Sequence, residues 1–287
     1  AIPVVKGRKS EGEKFAGAEA SYSIEAMMGN RWALQAGTSH NLGQNFAKAF
    51  DIQYLDQNNE LQYCWTTSWG VSTRMVGAII MAHGDDQGLR LPPKLAPAQV
   101  VIVPIWRREE QKGDVLEAAE RIHAELAGCF RVKMDVREGV TPGWKFNEWE
   151  MRGVPLRLEI GPRDLEAGTV VLSRRDTGDK ITVAQSELQS EVPRLLGEIQ
   201  AGLLAQAEER LAERTSTASD YEELQSLVAE GGFVRAYWDG TSDDEARIQD
   251  ECGATIRCIP FTQPDEPGPC VYTGRMTGTQ VLFAKAY

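Results

Sequence analysis

The densest group of polar side chains runs Gln35-Ala36-Gly37-Thr38-Ser39-His40-Asn41-Leu42-Gly43-Gln44-Asn45-Phe46. Two glycines, two hydroxyls, a histidine and several carboxamides suit a turn that lines a ligand. There, Gly admits close backbone approach and the side chains fix orientation. The alternative is a capping turn, with Thr38 or Ser39 satisfying the amides of a helix from Leu42. A second group, Thr66-Thr67-Ser68-Trp69-Gly70-Val71-Ser72-Thr73-Arg74, reads as a strand ending in hydroxyl residues with an arginine at the start of a helix. A permanently charged guanidinium fork in that place can grip a nucleotide phosphate. An ordinary surface arginine after a serine cap fits the same residues. A third group, Trp144-Lys145-Phe146-Asn147-Glu148-Trp149-Glu150, mixes aromatics, a lysine and carboxylates. Such a set can stack and hydrogen-bond single-stranded RNA bases, or it can be a helix burying two tryptophans. His83-Gly84-Asp85-Asp86 reads as a solvated turn rather than a metal site, and His123 as a surface or packing residue on a helix. The patterns GxxxxGK[ST], HExxH, GxSxG and CxxC do not occur, which disfavours several common enzyme classes.

The elements that must position these groups follow from periodicity and turn formers. Leu91-Pro92-Pro93-Lys94-Leu95-Ala96-Pro97 reads as a linker, since each proline removes a donor and restricts its predecessor. Gln99–Ile105 is a continuous apolar run, as in a strand buried on both faces. Gly113–Ala127 has helical spacing. Strand Phe130–Val136, helix Gly143–Met151, strands Leu156–Ile160 and Thr169–Ser173, and a long helix Leu188–Arg214 complete a compact α/β block. Before the linker, Ala33–Gly37, Ile52–Leu55 and Gln62–Ser68 read as strands and Val71–His83 as a helix, together an antiparallel sheet with helices packed on it. After residue 212 come helix Tyr221–Ala229, strand Phe233–Trp238, helix Asp243–Cys252 and strands Thr255–Ile259 and Val281–Ala284.

The chain has 287 residues, 42% hydrophobic and 25% charged, with a formal net charge of −11. That length suits two or three domains. The apolar runs Val76–Ala82 and Val100–Ile105 are far below the ~18 residues of a membrane helix. Five scattered cysteines and the lack of a leader pattern lead to the expectation of a cytoplasmic protein with no membrane contact. The missing initiator methionine hints at a fragment. Residues 1–96 carry nine basic and nine acidic side chains, residues 97–212 carry 16 and 20, and residues 213–287 carry 6 and 13. The excess of acid at the C-terminal end argues against non-specific coating of nucleic acid. Within the middle block, residues 131–180 hold ten basic and nine acidic residues, the stretch best suited to a polyanion.

Taken in order, Lys14-Phe15-Ala16-Gly17-Ala18, the Gln35–His40 and Leu42–Phe46 runs, Ser68–Arg74 and Ala82-His83-Gly84-Asp85 resemble prolyl-tRNA synthetases of the archaeal/eukaryotic-like branch. The resemblance continues through Thr141–Glu150, Gly153–Arg157, Glu159–Asp164 and the terminal Phe283-Ala284-Lys285-Ala286-Tyr287, so it covers nearly the whole chain. It implies an α+β fold in three parts. Residues 1–96 would be the C-terminal part of a class II catalytic domain built on an antiparallel sheet. Residues 97–212 would be an α/β anticodon-binding domain, and residues 213–287 a small α/β C-terminal domain.

The implied activity is ATP-dependent activation of L-proline to prolyl-adenylate and its transfer to tRNA(Pro), with ATP bound as its Mg complex and a homodimer as the full-length assembly. The resemblance places Gln35, Thr38, Ser72 and Arg74 at ATP, with Arg74 the catalytic arginine on the terminal phosphates. It places His40 and Phe15 at proline, and Lys145, Glu148 and Arg163 at the anticodon. The family's first two signature motifs would lie upstream of residue 1, so this polypeptide alone is expected not to activate proline. The rival reading is an RNA-binding module derived from a synthetase that has lost catalysis. Many relatives bind zinc through four cysteines. The positions here are Asp239, Asp244, Cys270 and Thr273, a poor tetrahedral set, and no structural zinc is expected.

Overall fold

A computed structural model describes residues 1–287. The first segment runs β1 (Val4–Arg8), β2 (Ala20–Met27), β3 (Ala33–Gly43), α1 (Asn45–Ala49), β4 (Gln53–Leu55), β5 (Leu61–Tyr63), β6 (Thr66–Gly70) and α2 (Arg74–His83). The middle runs β7 (Val100–Pro104), α3 (Glu109–Ala127), β8 (Val132–Met134), α4 (Pro142–Met151), β9 (Leu156–Ile160), α5 (Pro162–Ala167), β10 (Thr169–Arg174), β11 (Lys180–Ala184) and α6 (Leu188–Glu213). The last segment runs β12 (Thr215–Thr217), α7 (Tyr221–Glu230), β13 (Phe233–Tyr237), α8 (Ser242–Cys252), β14 (Thr255–Pro260), β15 (Gly268–Pro269), β16 (Met276–Thr277) and β17 (Gln280–Ala284). No helix is long and apolar enough to cross a membrane.

The chain divides into two compact units, one formed by Ile2–Ala82 with Glu208–Tyr287, the other by His83–Ala207. In the first, strands from both ends of the chain form one sheet in the order β12-β13-β17-β14-β1-β2-β3-β6, antiparallel except for the β12–β13 pair. The joint is β1 against β14, with Gly7 opposite Pro260. A Cβ at Gly7 would fall 2.4 Å from the Ile259 carbonyl oxygen, so only glycine lets the two backbones approach. Below the joint, Met27, Ala33, Phe233, Cys258, Leu282 and Ala284 bury together. On the other face, α2 packs Ala78 and Ala82 on Ala26, Leu34 and Ala36.

Three readings of the first segment change. The Gln35–Phe46 group is not a turn: all but its last three residues lie in β3, and Thr38 and Ser39 are paired strand residues, not caps. Those side chains are small and polar, but their backbone groups are satisfied by β2 on one side and β6 on the other. The expected strand over Gln62–Ser68 is two strands that pair with different partners. The helix expected from Val71 begins at Arg74. Strands β1 and β2 add to the expected set.

The second unit has the sheet order β11-β10-β9-β7-β8, with β8, β7 and β9 parallel and β10 and β11 antiparallel at one edge. β7 reads VVIVP and is buried throughout, as a central strand covered on both faces must be. α3 lays Val115, Ala119, Ile122 and Leu126 against this sheet. α4 starts where Thr141 accepts the Trp144 amide at 3.3 Å and Pro142 takes the first helical position.

Candidate functional site

In the first unit the site is set by one irregularity. β3 pairs Gln35 with Glu25 and Gly37 with Ile24, so Ala36 is an extra residue in β3. In a regular strand Gln35 and Thr38 would point to opposite faces, being three residues apart. The bulge removes that offset. Gln35 faces Glu25, Thr38 faces Ser23 and His40 faces Ser21, all on the side of the sheet away from α2. A mostly apolar hollow bounded by Lys6, Tyr22, Ile24, Gly37, Val71 and Phe261 lies mainly on the α2 side by the same register, although Ser23 and Thr38 also line it.

Around His40 the contacts are specific. Ser21 is buried, and its hydroxyl shares a 2.8 Å hydrogen bond with His40 Nδ1. The same oxygen accepts the Phe15 amide at 3.1 Å. The Phe15 ring lies 4.8 Å from the His40 ring, centroid to centroid, and 6.2 Å from Phe46. Ser23, opposite Thr38, is buried with its hydroxyl unpaired within the chain. Arg74 is exposed at the first position of α2, four residues beyond Gly70, which pairs with Thr38. Its amide donates to Ser72 Oγ at 3.3 Å. Gln35, Thr38 and His40 thus share one face, His40 and Phe15 are in contact, and Ser72 and Arg74 sit together at the adjoining helix start.

On the same face, opposite Gln35, lies a charged group that the sequence did not single out. Glu25 is fully buried, accepting from Arg257 Nε and Nη2 at 3.2 and 3.1 Å and lying 3.3 Å from Lys9 Nζ. Lys9 Nζ also donates to the Arg257 carbonyl at 2.7 Å. Burial pushes the Lys9 ammonium below its ordinary range, offset in part by Glu25. The alternation Ser21, Ser23, Glu25 in β2 was the available signal.

In the second unit the crevice opens at the C-terminal ends of β7 and β9. β7 lies between β8 and β9 in a parallel arrangement, and the chain leaves β7 towards β8 but leaves β9 towards β10, in the opposite direction. The gap beyond the strand ends at such a place is where open α/β sheets take ligands. It is lined by Trp106, Arg107, Arg108 and Gln111 after β7 and by Gly161 and Arg163 after β9. A neighbouring hollow is lined by Trp106, Arg137, Pro142 and Lys145. Trp106 has the ammonium groups of Lys112 and Lys145 each 5.9 Å from its ring centre, and Arg137 lies 5.0 Å from the exposed Trp144 ring.

The expected contact residues differ in availability. Arg163 is exposed at the rim. Lys145 is buried, donating to the Asp135 carbonyl at 3.0 Å, and burial lowers its ammonium. The Glu148 carboxylate is engaged by Arg137 at 2.7 Å and by Arg152. Asp135 accepts from Arg137 at 2.6 and 2.9 Å and from the Trp149 indole at 2.8 Å, and the Arg137 guanidinium in particular holds its carboxyl down at about 2. Trp106, Arg107, Arg108 and Arg137 were not anticipated, because only the strand order brings the two loops together.

Three of the four positions weighed for zinc, Asp239, Cys270 and Thr273, form a hydrogen-bonded knot. The Thr273 hydroxyl donates to Asp239 Oδ1 at 2.5 Å, Arg275 Nε lies 2.8 Å from Asp239 Oδ2, and Cys270 Sγ receives the amides of Asp239 and Thr273. The Asp244 carboxylate is used at the start of α8, accepting from the Thr241 amide and hydroxyl at 2.9 Å each. The second group considered, at His83, is likewise structural, since Asp85 is clamped by Arg175.

Comparison with known proteins matches residues 221–287 to the family described as "Prolyl-tRNA synthetase, C-terminal" and residues 99–195 to "Anticodon binding domain". The whole chain aligns with the proline–tRNA ligase of Roseiflexus sp. strain RS-1 at 57% identity, covering 60% of that protein. It aligns with the proline–tRNA ligase of Salinibacter ruber at 53%, covering 59%, and with the chloroplastic/mitochondrial proline–tRNA ligase of Arabidopsis thaliana at 52%, covering 54%. The chain spans 54–60% of the length of these relatives. With an anticodon-binding module followed by a prolyl-tRNA synthetase C-terminal module, and identity above one half over the whole chain, the chain belongs to the prolyl-tRNA synthetase family, of which it represents the C-terminal portion.

Proposed function

We propose that this chain is the C-terminal part of a proline–tRNA ligase. It would contribute part of a class II catalytic sheet from residues 1–96, an anticodon-binding domain from residues 97–212 and a C-terminal domain from residues 213–287. The observation that carries the reading is the bulge at Ala36, which gathers Gln35, Thr38 and His40 on one face. In the reaction the proline carboxylate attacks the α-phosphate of Mg-ATP and pyrophosphate leaves. A terminal hydroxyl of tRNA(Pro) then displaces AMP from the adenylate. Such chemistry relies on positioning and charge stabilisation more than on covalent help from the protein.

Gln35 and Thr38 are assigned to ATP, with Ser72 beside them. Arg74 is assigned to the terminal phosphates, where its charge offsets that of the departing pyrophosphate. His40 and Phe15 are assigned to proline, Phe15 as an apolar wall for the pyrrolidine ring. Ser21 Oγ holds the His40 ring through Nδ1, which leaves Nε2 as the ring nitrogen available to substrate. Lys145, Glu148 and Arg163 are assigned to the anticodon module, Arg163 as a direct contact. Lys145 and Glu148 would act there through the Asp135–Arg137 cluster they brace. No metal is assigned to Asp239, Asp244, Cys270 and Thr273, whose polar atoms are used by one another and by Arg275 and Thr241. The full-length protein is expected to charge tRNA(Pro) transcripts with labelled proline. Charging with a different amino acid, and none with proline, would overturn the reading.

A further inference from the structure

The β1–β2 connection, residues 9–19, carries Phe15 and is fastened at its base by the last segment of the chain. Lys9 is tied to the Arg257 carbonyl and to Glu25, as above. Ser10 is buried and donates its hydroxyl to Glu245 Oε2 on α8 at 2.8 Å, across 235 residues of sequence. Ser10 Oγ in turn accepts the Glu13 amide at 3.3 Å. Gly12 lies on the same carboxylate, and a Cβ there would come within 2.9 Å of Glu245 Oε2. At the tip, the Phe15 amide donates to Ser21 Oγ, Asn45 Nδ2 donates to the Gly17 carbonyl at 2.9 Å, and Gly17 (φ +87°) rests on the Phe46 ring. The loop is therefore clamped at both ends.

A carboxylate in the first turn of a helix ordinarily faces water, where the helix dipole already favours it. Glu245 instead turns inward: burial pushes its carboxyl above the usual range, and Glu13 and Glu11 add to this while Ser10 and Lys9 oppose it. α8 does not need this residue for its own start, because Thr241 and Asp244 cap it reciprocally.

We propose that Glu245 is a positioning residue for the imino-acid pocket. By holding Ser10 and Gly12 it sets the β1–β2 loop and keeps the Phe15 ring over His40, so that the C-terminal module governs how tightly proline is enclosed. The proposal rests on the assignment of Phe15 and His40 to proline. In the full-length enzyme, Glu245→Ala is expected to raise KM for proline about tenfold, the scale of one charge-assisted hydrogen bond, with kcat and KM for ATP within about twofold. Glu245→Gln keeps an oxygen that accepts from Ser10 and should restore the proline KM to within about twofold. Amide hydrogen exchange over residues 10–17 should quicken in Glu245→Ala while β2 and the end of α8 stay protected. If Phe15→Ala raises the proline KM and Glu245→Ala leaves both it and the exchange unchanged, the coupling is refuted and the pocket assignment stands. If Phe15→Ala leaves the proline KM unchanged, the pocket assignment falls and takes this proposal with it.

Discussion

Buried charge in this protein is arranged in groups rather than in single pairs. Glu25 sits between Lys9 and Arg257, and Asp135 sits among Arg137, Lys145 and the Trp149 indole. Such clusters cost desolvation, and their value lies in the geometry they enforce around them. The Asp135 cluster fixes the start of the hollow that Arg137 and Lys145 line. Its carboxyl titrates at about 2 in the folded protein against an ordinary value of 3.8. The ionised form therefore stabilises the fold fully above pH 4, and the contribution fades as pH falls towards 2. Asp135→Asn should lower unfolding free energy at pH 7 by about 2 kcal/mol in urea titrations, and the difference from wild type should shrink towards zero near pH 2. A pH-independent difference would mean that packing, not charge, is what the substitution removes. At this scale the sequence was informative about types and uninformative about partners. His40 and Arg74 stood out by chemistry, whereas the bond from His40 to Ser21 depends on a register that nothing local specifies.

At the level of elements, the extra residue in β3 is the feature on which the candidate site turns. Deleting Ala36 would leave a regular ladder in which Gln35, now two residues from Thr38, still pairs with Glu25, so Gln35, Thr38 and His40 keep their common face. The deletion is expected to leave ATP affinity within about threefold of wild type, measured by equilibrium dialysis on the full-length protein. The melting temperature should fall by only a few degrees, since a bulge disrupts its ladder locally. Loss of ATP binding in a folded deletion variant would show that the common face by itself is not what nucleotide binding requires. β7 was legible because five consecutive apolar residues allow little else, and α3 because its stripe is regular. The bulge was not, because Ala36 looks like its neighbours. β2 carried a period-two pattern, Ser21-Tyr22-Ser23-Ile24-Glu25-Ala26, but the polar side of that pattern is buried here, where a strand of this kind ordinarily shows it to water. The β1–β14 pairing joins residues some 250 positions apart, and its one local trace is Gly7.

Over the whole molecule, charge is distributed by task. The net charge is −11, yet the crevice beyond β7 and β9 shows Arg107, Arg108 and Arg163 towards solvent. Acidic bulk surface with a confined basic rim suits selective contact with one polyanion rather than general adhesion. Replacing Arg107 and Arg163 by alanine should weaken tRNA(Pro) binding by about tenfold or more, and should reduce the slope of log affinity against log salt by about one for each phosphate that is no longer neutralised. A slope equal to wild type would place the tRNA elsewhere. The central claim is that the β3 face holds both substrates of adenylate formation, and proline-dependent ATP–pyrophosphate exchange by the full-length protein tests it most directly. Gln35→Ala is predicted to raise KM for ATP about tenfold with little change for proline, His40→Ala to raise KM for proline with little change for ATP, and Arg74→Ala to reduce exchange to background. Wild-type exchange in all three variants would contradict the account.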